Sequence, residues 1–307
     1  MKKRLTRFLP FLLAFTIALP SYSVFAEEEN QAKETQTNET NETQADETTA
    51  NDTLSLAAET AVLIDAASGE ILYDKDADKK MYPASITKLM TILLALENGK
   101  LTDEITFSHD AVYNIEPGSA HIAILEGETL TLEQVLRAII LRSANEASNG
   151  VAEYVDGSVE AFAKHMTERA KELGCTNTNF VNANGLFDEN HYTTAHDMAL
   201  IARELLKHEE YRSMMSETDY EIPPTNLQTE TRYLHGQHQM LNPNSIYYYK
   251  DAIGGKTGYT VEAGNTLVTY AERDGLTLIA VVMKCNGAEH YTDTAALFDY
   301  GFANYAS

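Results

Sequence analysis

The stretch "YPASITKLMT", residues 82–91, places a serine and a lysine three positions apart inside an apolar run. On a helix, Ser85 and Lys88 would lie one turn apart on the same face, beside apolar neighbours such as Leu89 and Leu93. A lysine in such surroundings costs free energy unless its amine reaches water, pairs with a charge or takes part in chemistry. Taken alone, the Ser-x-x-Lys pattern favours the first of these, a packed stem with a solvated amine.

Two further short motifs lie far from this stretch. "RSANEAS" contains Ser143 and Asn145, and "GGKTGYT" contains Lys256, Thr257 and Gly258. Each is weak by itself, because Ser143 could cap a helix, Asn145 could bond to nearby backbone and Lys256 could protect an edge strand. The three motifs in this order are specific, since class A β-lactamases and penicillin-binding proteins share the set.

Longer stretches extend the match, among them "IDAASGEILYDKDADKKMYPASITKLMT", "LRSANEASNGVAEYV", "NTNFVNANGLFDENHYTTAHDMALIA", "GGKTGYTVEAGNTLVTYAERDG" and "LFDYGF". They resemble the low-molecular-mass penicillin-binding proteins that are serine-type D-alanyl-D-alanine carboxypeptidases, over nearly all of residues 57–303. The resemblance implies removal of the terminal D-alanine from peptidoglycan pentapeptide stems through an acyl-enzyme, and inhibition by β-lactam antibiotics. A β-rich domain and an amphipathic anchor often follow in this family, and the chain ends where they would begin. Residues 54–307 are therefore expected to be the catalytic domain alone.

The chemistry needs a nucleophile and a base. Ser85 is a poor nucleophile until a base takes its proton, and Lys88, one helical turn on, is the candidate base. Burial beside a second cation lowers the pKa of an ammonium, and Lys256 would be that cation. By the resemblance, Ser143 would be a proton relay, and together with Asn145 it would bridge Lys88 to the leaving nitrogen and hold the substrate's amides.

Substrate binding is predicted from the third motif. By the resemblance, Lys256 and Thr257 would hold the terminal carboxylate. The resemblance also implies that the backbone N–H of Tyr259 forms an oxyanion hole together with that of Ser85. Gly258 would let the strand backbone run close to the ligand. The sequence predicts no cofactor and no metal.

Three residues depart from the family pattern. Asn184 in "NANGL" stands where relatives often have histidine, and Glu146 stands where aspartate is usual, which should matter little. His290 stands roughly where many relatives have an arginine that helps to fix the substrate carboxylate. With an ordinary pKa near 6.5, His290 would help only when protonated. The alternative is that His290 is merely the solvent-facing start of the last helix.

Three other functions share some of these features. A class A β-lactamase would carry a deacylating glutamate, but no Glu-x-x-Leu-Asn lies between the second and third motifs. A non-catalytic penicillin-binding sensor would have lost a motif residue, and none is lost. A zinc peptidase could use His191, His196 and Asp197, but the spacing of the two histidines does not suit one helix face, and His-Glu-x-x-His is absent.

The hydrophobic pattern predicts an α+β fold of the β-lactamase/transpeptidase type. Two alternating runs around "AASG" indicate an N-terminal hairpin, and a helix is expected from about Ser85 to Glu97. Mostly helical patterns follow, then strands in "NTLVTYAE" and "LTLIAVVMK", and a last helix from about His290 to Phe302. We therefore expect one antiparallel sheet built from both chain ends, with flanking helices and an all-helical subregion.

The chain start predicts export. Residues 1–26 have a basic head, a short apolar stretch and a small-residue cleavage site, as in a secretory signal peptide, with an uncleaved anchor as the alternative. Residues 27–53 are polar and acidic and are expected to form a disordered tether. The expected destination is the extracellular or cell-wall space, with membrane contact at most through the N-terminal segment.

The net charge limits the classes of partner, and the two cysteines raise the question of a disulfide. With 46 acidic and 23 basic residues, the net charge of −23 disfavours nucleic acid and anionic membrane surfaces. Cys175 and Cys285 could pair in an exported protein or remain free thiols.

Overall fold

The computed structural model describes residues 54–305, so the predicted signal segment 1–26 and tether 27–53 lie outside the described residues. The strands among them are β1 (Thr60–Asp65), β2 (Ile71–Lys75), β3 (Glu104–Thr106), β4 (Thr129–Thr131), β5 (Asp219–Ile222), β6 (Arg232–His235), β7 (Ala252–Thr260), β8 (Gly264–Arg273) and β9 (Leu276–Cys285). The α-helices are α1 (Lys88–Asn98), α2 (His109–Tyr113), α3 (Leu132–Arg142), α4 (Asn145–Asp156), α5 (Val159–Glu172), α6 (Ala195–Leu205), α7 (Glu209–Met214) and α8 (Glu289–Tyr305). Two 3-10 helices span Ala84–Thr87 and Gln239–Leu241.

One antiparallel sheet joins the two ends of the described chain. Its strand order is β2-β1-β9-β8-β7, so the N-terminal hairpin pairs with the C-terminal meander through β1 and β9. Leu63 of β1 lies opposite Ala280 of β9. The run "LIAVVM" of β9 is buried throughout, as expected for a central strand covered on both faces. The predicted sheet from both chain ends is confirmed.

Helices cover both faces of this sheet. α8 packs against β8 and β9 on one side, and α6 packs against β1 and β9 on the other. α1 lies behind α6 and is surrounded by α3, α4, α5 and α6, which explains why its residues from Lys88 to Ala95 are buried. The region from α2 to α5 is the predicted helical block, and Thr131 starts α3 with a capping box closed by Gln134.

Some local predictions needed revision. The helix expected from Ser85 begins as a 3-10 turn and becomes α-helical only at Lys88. The pairs β3-β4 and β5-β6 form two small sheets that were not predicted, because three or four residues are too few to show alternation. Cys175 and Cys285 are both buried free thiols, so the two are not paired with each other.

Candidate active site

The 3-10 turn presents Ser85 at the bottom of a cleft. Ala84, the residue before it, has φ +50°, a left-handed conformation that a non-glycine residue adopts at a cost. Neighbouring elements hold this turn in place. The hydroxyl of Thr266 on β8 donates to the carbonyl of Pro83 at 2.8 Å. Gly185 packs against the other side, where an added Cβ would lie 2.0 Å from the Ala84 carbonyl oxygen. Surrounding packing therefore maintains the strained turn.

Lys88 is fully buried one turn after Ser85. Its Nζ lies 3.0 Å from Ser85 Oγ, 2.8 Å from Asn145 Oδ1 and within hydrogen-bond distance of the backbone carbonyl of Asn184. Burial, reinforced by the nearby positive charge of Lys256, holds the pKa of Lys88 well below its usual value. The sequence allowed a solvated amine at this position, and the structure excludes it.

The turn between α3 and α4 carries the second motif. Ser143 ends α3 with φ +56° and ψ +31°, a left-handed conformation that turns the chain directly into α4. Its hydroxyl accepts a hydrogen bond from Lys256 Nζ at 3.1 Å, whereas Asn145, the first residue of α4, accepts from Lys88. Both residues were expected beside Lys88, but the direct contact of Ser143 is with the second lysine, Lys256.

The edge strand β7 carries the third motif in its interior. Lys256 is 2% exposed, and its Nζ also donates to the backbone carbonyl of Thr257 at 2.8 Å. Burial lowers the pKa of Lys256 to about 7. The strand runs against the Ser85 turn, and an added Cβ on Gly258 would lie 2.8 Å from the backbone nitrogen of Ser85. Gly258 therefore allows β7 to approach the nucleophile candidate closely.

Two hollows meet at Ser85. The first, here called the inner hollow, has a volume of about 290 Å³ and is lined, besides Ser85 and Ser143, by Gln237, Thr257, Gly258, Asn265, His290 and Tyr291. The second, here called the outer groove, has a volume of about 710 Å³ and is lined on the other side of Ser85 by Glu116, Asn145, Leu186, Phe187, Thr260 and Glu262. Tyr259 borders both, and its side chain is exposed. The cleft therefore has room on both sides of the candidate nucleophile.

His290 is buried, so it is not a solvent-facing helix start. It lines the inner hollow at the beginning of α8. Burial lowers the pKa of His290 below its ordinary 6.5, although the carbonyl of Gly287 and the carboxylate of Asp293 oppose the shift. The imidazole is therefore neutral at neutral pH, and the protonated form that could attract the substrate carboxylate requires more acidic conditions than an ordinary histidine would.

The three residues considered for zinc have separate partners. His191 Nδ1 accepts from the Val181 N–H at 3.1 Å, so its Nε2 donates to the Thr87 hydroxyl at 2.8 Å. His196 pairs with Asp78. The Asp197 carboxylate accepts from the Thr178 hydroxyl and from the backbone N–H groups of residues 176 and 177. These contacts assign the three side chains to structural roles.

The β-lactamase alternative requires a carboxylate placed to activate a deacylating water near Ser85. Glu116 and Glu262 line the outer groove and form no hydrogen bond with Ser85. Glu146 accepts from the Ile122 N–H at 2.7 Å, and burial raises its pKa. Among the described residues, none of these carboxylates contacts the Ser85–Lys88 pair through a hydrogen bond, as a deacylating base would require.

Several residues of the site were not predicted from the sequence. The backbone carbonyl of Asn184 accepts from Lys88, and its side-chain amide donates to Asn149 Oδ1 at 3.1 Å. Gln237 and Asn265 line the inner hollow without belonging to any motif. The glycine in "NANGL" was an available signal for a tight turn, since Gly185 has φ +83°. Nothing in the local pattern of Gln237 or Asn265 indicates a site.

Several proteins with similar sequences are named as D-alanyl-D-alanine carboxypeptidases. A D-alanyl-D-alanine carboxypeptidase DacF from Bacillus subtilis (strain 168) is 36% identical over 259 residues, covering 82% of this chain and 64% of the relative. A D-alanyl-D-alanine carboxypeptidase DacC from Escherichia coli (strain K12) is 32% identical over 260 residues, covering 81% of this chain and 62% of the relative. The chain thus spans somewhat less than two thirds of the length of these curated relatives.

Solved structures show the same fold. The DD-transpeptidase of Streptomyces K15 aligns with a TM-score of 0.76 at 26% identity, covering 81% of this chain and 98% of that one. A D-alanyl-D-alanine carboxypeptidase from Mycobacterium tuberculosis H37Rv aligns with a TM-score of 0.73 at 28% identity, covering 81% and 92%. The transpeptidase-like fold class is therefore confirmed.

The profile of peptidase family S11, D-alanyl-D-alanine carboxypeptidase, matches residues 44–287. This range contains the three motifs and most of the sheet. It also agrees with the resemblance seen in the sequence. The chain belongs to the D-alanyl-D-alanine carboxypeptidase family, peptidase family S11.

Proposed function

We propose that this protein is a serine-type D-alanyl-D-alanine carboxypeptidase that removes the terminal D-alanine from peptidoglycan pentapeptide stems through a Ser85 acyl-enzyme. Penicillins would acylate the same serine. The observation that carries the proposal is the buried amine of Lys88, 3.0 Å from Ser85 Oγ, with its pKa well below the ordinary value. A neutral amine at this distance can take the proton of the hydroxyl.

The partners of Lys88 favour this direction of proton transfer. Its two other contacts, Asn145 Oδ1 and the Asn184 carbonyl, are oxygens that only accept hydrogen bonds. A neutral Lys88 gives both of its protons to them. Its lone pair then points to the hydroxyl proton of Ser85.

In acylation, Ser85 Oγ attacks the carbonyl carbon of the penultimate D-alanine while its proton passes to Lys88. The backbone N–H groups of Ser85 and Tyr259 would hold the oxyanion, and losing one such donor typically costs about 3–4 kcal/mol of barrier. As the C–N bond breaks, the proton held by Lys88 passes to the leaving nitrogen. For Ser143 to relay this proton, its hydroxyl would have to exchange its present contact with Lys256 for one with Lys88. Neutral Lys88 then activates the water that hydrolyses the ester.

Substrate would lie across both hollows. The stem, on the acyl side, would occupy the outer groove beside Asn145. The leaving D-alanine would occupy the inner hollow, its carboxylate near Lys256 and Thr257. Lys256 contributes from behind the lining, because its amine is bonded to Ser143 and to the Thr257 carbonyl.

We further propose that the enzyme works outside the cytoplasm on the cell wall, exported by the segment 1–26. Membrane contact would be made at most through this N-terminal segment, and the net charge of −23 argues against nucleic acid as a partner. Between residues 54 and 305, no helix has the length and apolarity to cross a membrane.

The test is intact mass after incubation with a labelled penicillin, together with D-alanine release from a peptide ending in D-Ala-D-Ala. We expect one adduct per chain and release of D-alanine, both lost in Ser85→Ala. Ser213→Ala, on the remote helix α7, is the matched control and should behave like the parent protein. Stoichiometric labelling of Ser85→Ala would overturn the proposal.

A further inference from the structure

The inner hollow has an uncharged lining. Among the described residues that border it there is no aspartate, glutamate, arginine or lysine. The nearest cation, Lys256, lies behind the wall, and its amine is bonded to two lining residues, Ser143 and Thr257. A free carboxylate entering this hollow would therefore meet one partly shielded positive charge and no guanidinium fork, the group that binds carboxylates in a bidentate manner.

On the β8 side of the hollow, Asn265 offers one hydrogen-bond acceptor. The side-chain Nδ2 of Asn265 donates to the carbonyls of Gly287 at 2.8 Å and Cys285 at 3.4 Å. Because two carbonyls engage the amide nitrogen, Oδ1 is the atom left for a ligand, and it only accepts. An acceptor oxygen repels a carboxylate oxygen and binds an amide N–H.

The remaining polar groups of the lining can either donate or accept a hydrogen bond. His290 lines the hollow and is 6% exposed, and its Nδ1 is fully buried, so only Nε2 is left to meet a ligand. A neutral imidazole carries one donor and one acceptor, and the exposed amide of Gln237 likewise offers both. Such a lining discriminates between ligands by the arrangement of their hydrogen-bonding groups and only weakly by their charge.

We propose that the inner hollow accepts a leaving D-residue whose carboxyl group is amidated, so that the enzyme also cleaves D-alanyl-D-aminoacyl carboxamides. This inference rests on the proposed carboxypeptidase function. The carboxamide oxygen would face Thr257 and Lys256, and its N–H would face Asn265 Oδ1. The chemistry is unchanged: the D-Ala–D-Xaa C–N bond breaks, the Ser85 ester forms, the leaving amine takes the proton, and water hydrolyses the ester.

The test compares diacetyl-L-lysyl-D-alanyl-D-alanine with the same peptide ending in D-alaninamide, measuring the released D-alanine or D-alaninamide by mass spectrometry. We expect kcat/KM for the carboxamide to lie within about tenfold of that for the acid. A preference for the acid of more than a hundredfold would overturn the inference and leave the carboxypeptidase function intact. Cleavage of neither peptide would overturn both.

Two variants sharpen the comparison. His290→Arg places a fixed cation in the hollow and should raise the acid-to-amide ratio at least tenfold. His290→Gln, the uncharged control, should keep the ratio within about threefold of the parent protein. Penicillin labelling of both variants at one adduct per chain verifies that the site is assembled. An unchanged ratio in a fully labelled His290→Arg would contradict the role given to the uncharged lining.

Discussion

Gly258 on β7 lies directly against the backbone of Ser85. A Cβ built on Gly258 would fall 2.8 Å from the Ser85 nitrogen and 2.4 Å from Thr266 Oγ1, separations that real Cβ atoms do not tolerate. The close approach places β7, from the C-terminal part of the chain, against the Ser85 turn, from the N-terminal part. It also sets the width of the cleft at the proposed oxyanion site.

Gly258→Ala should therefore push β7 away from Ser85. Displacement of about 1 Å in an active site costs on the order of 10²-fold in rate. We expect the rate of penicillin acylation to fall by about that factor. The matched control is Gly301→Ala on α8, whose Cβ would meet the Leu63 and Leu278 side chains at 2.7 Å, far from the cleft. Equal acylation losses in the two variants would show that general destabilisation is the cause.

Lys88→Ala should abolish acylation while the protein stays folded. A positioned general base contributes about 10²–10⁴-fold, so the acylation rate should fall by at least that range. Stopped-flow labelling measures the rate, and thermal melting verifies the fold. Lys171→Ala, on the exposed side of α5, serves as the control. A near-normal rate in folded Lys88→Ala would eliminate Lys88 as the base.

The penicilloyl-enzyme should be long-lived. Among the described residues, no carboxylate is hydrogen-bonded to Ser85 or Lys88, so no glutamate assists Lys88 in activating the deacylating water. The amine of an opened β-lactam also stays attached beside the ester, whereas D-alanine departs and leaves room for water. D-alanine release should therefore exceed penicillin hydrolysis by orders of magnitude. The adduct mass should persist for many minutes after free penicillin is removed. Rapid repeated turnover of penicillin would instead support the β-lactamase alternative.

The pH profile for a carboxylate-ended peptide should have two limbs. Activity should rise with pH as Lys88 loses its proton, at a pH well below the ordinary lysine range. It should then fall above about pH 7 as Lys256, with its pKa near 7, loses the charge that attracts the carboxylate. His238, also near Lys256, has a pKa of about 3, and burial lowers that of His290, so both stay neutral.

Lys256→Arg tests the second limb, because arginine keeps its charge throughout this range. The decline above pH 7 should disappear for the acid peptide, provided that penicillin still labels the variant. The carboxamide peptide should show little decline even in the parent protein. If the activity of Lys256→Arg toward the acid peptide declines at the same pH as that of the parent protein, another group controls the alkaline limb.

Arg232 stabilises a buried carboxylate outside the cleft. Glu128 has no exposed side-chain surface, and Arg232 contacts its two oxygens at 2.6 and 2.7 Å. Arg232→Ala leaves this charge unpaired and should lower the free energy of unfolding by about 3–5 kcal/mol. Urea denaturation measures this loss in the free energy of unfolding. The control Lys79→Ala removes an exposed pair with Glu59 and should cost less than about 1 kcal/mol, so equal losses would contradict the argument.

The sequence by itself determined the order of the elements and the chemical groups available. The two runs of the β1-β2 hairpin, the apolar run of β9, the helical spacing in α1 and the three motifs were all visible as local patterns. Ser85 and Lys88 could be placed together from sequence because helical geometry relates residues one turn apart. The same reasoning predicted the sheet built from both chain ends, since only the two ends carry long strand patterns.

Only the tertiary structure decided how those groups are partnered. Ser143 contacts Lys256 directly, the Asn184 carbonyl holds Lys88, and His290 is buried against an uncharged hollow. No periodicity encodes these contacts, because each joins segments far apart in the chain. The pKa of a group likewise depends on its burial and on charges brought close by folding. Local sequence specifies which side chains exist and how each segment folds, whereas long-range packing sets their distances and their charges.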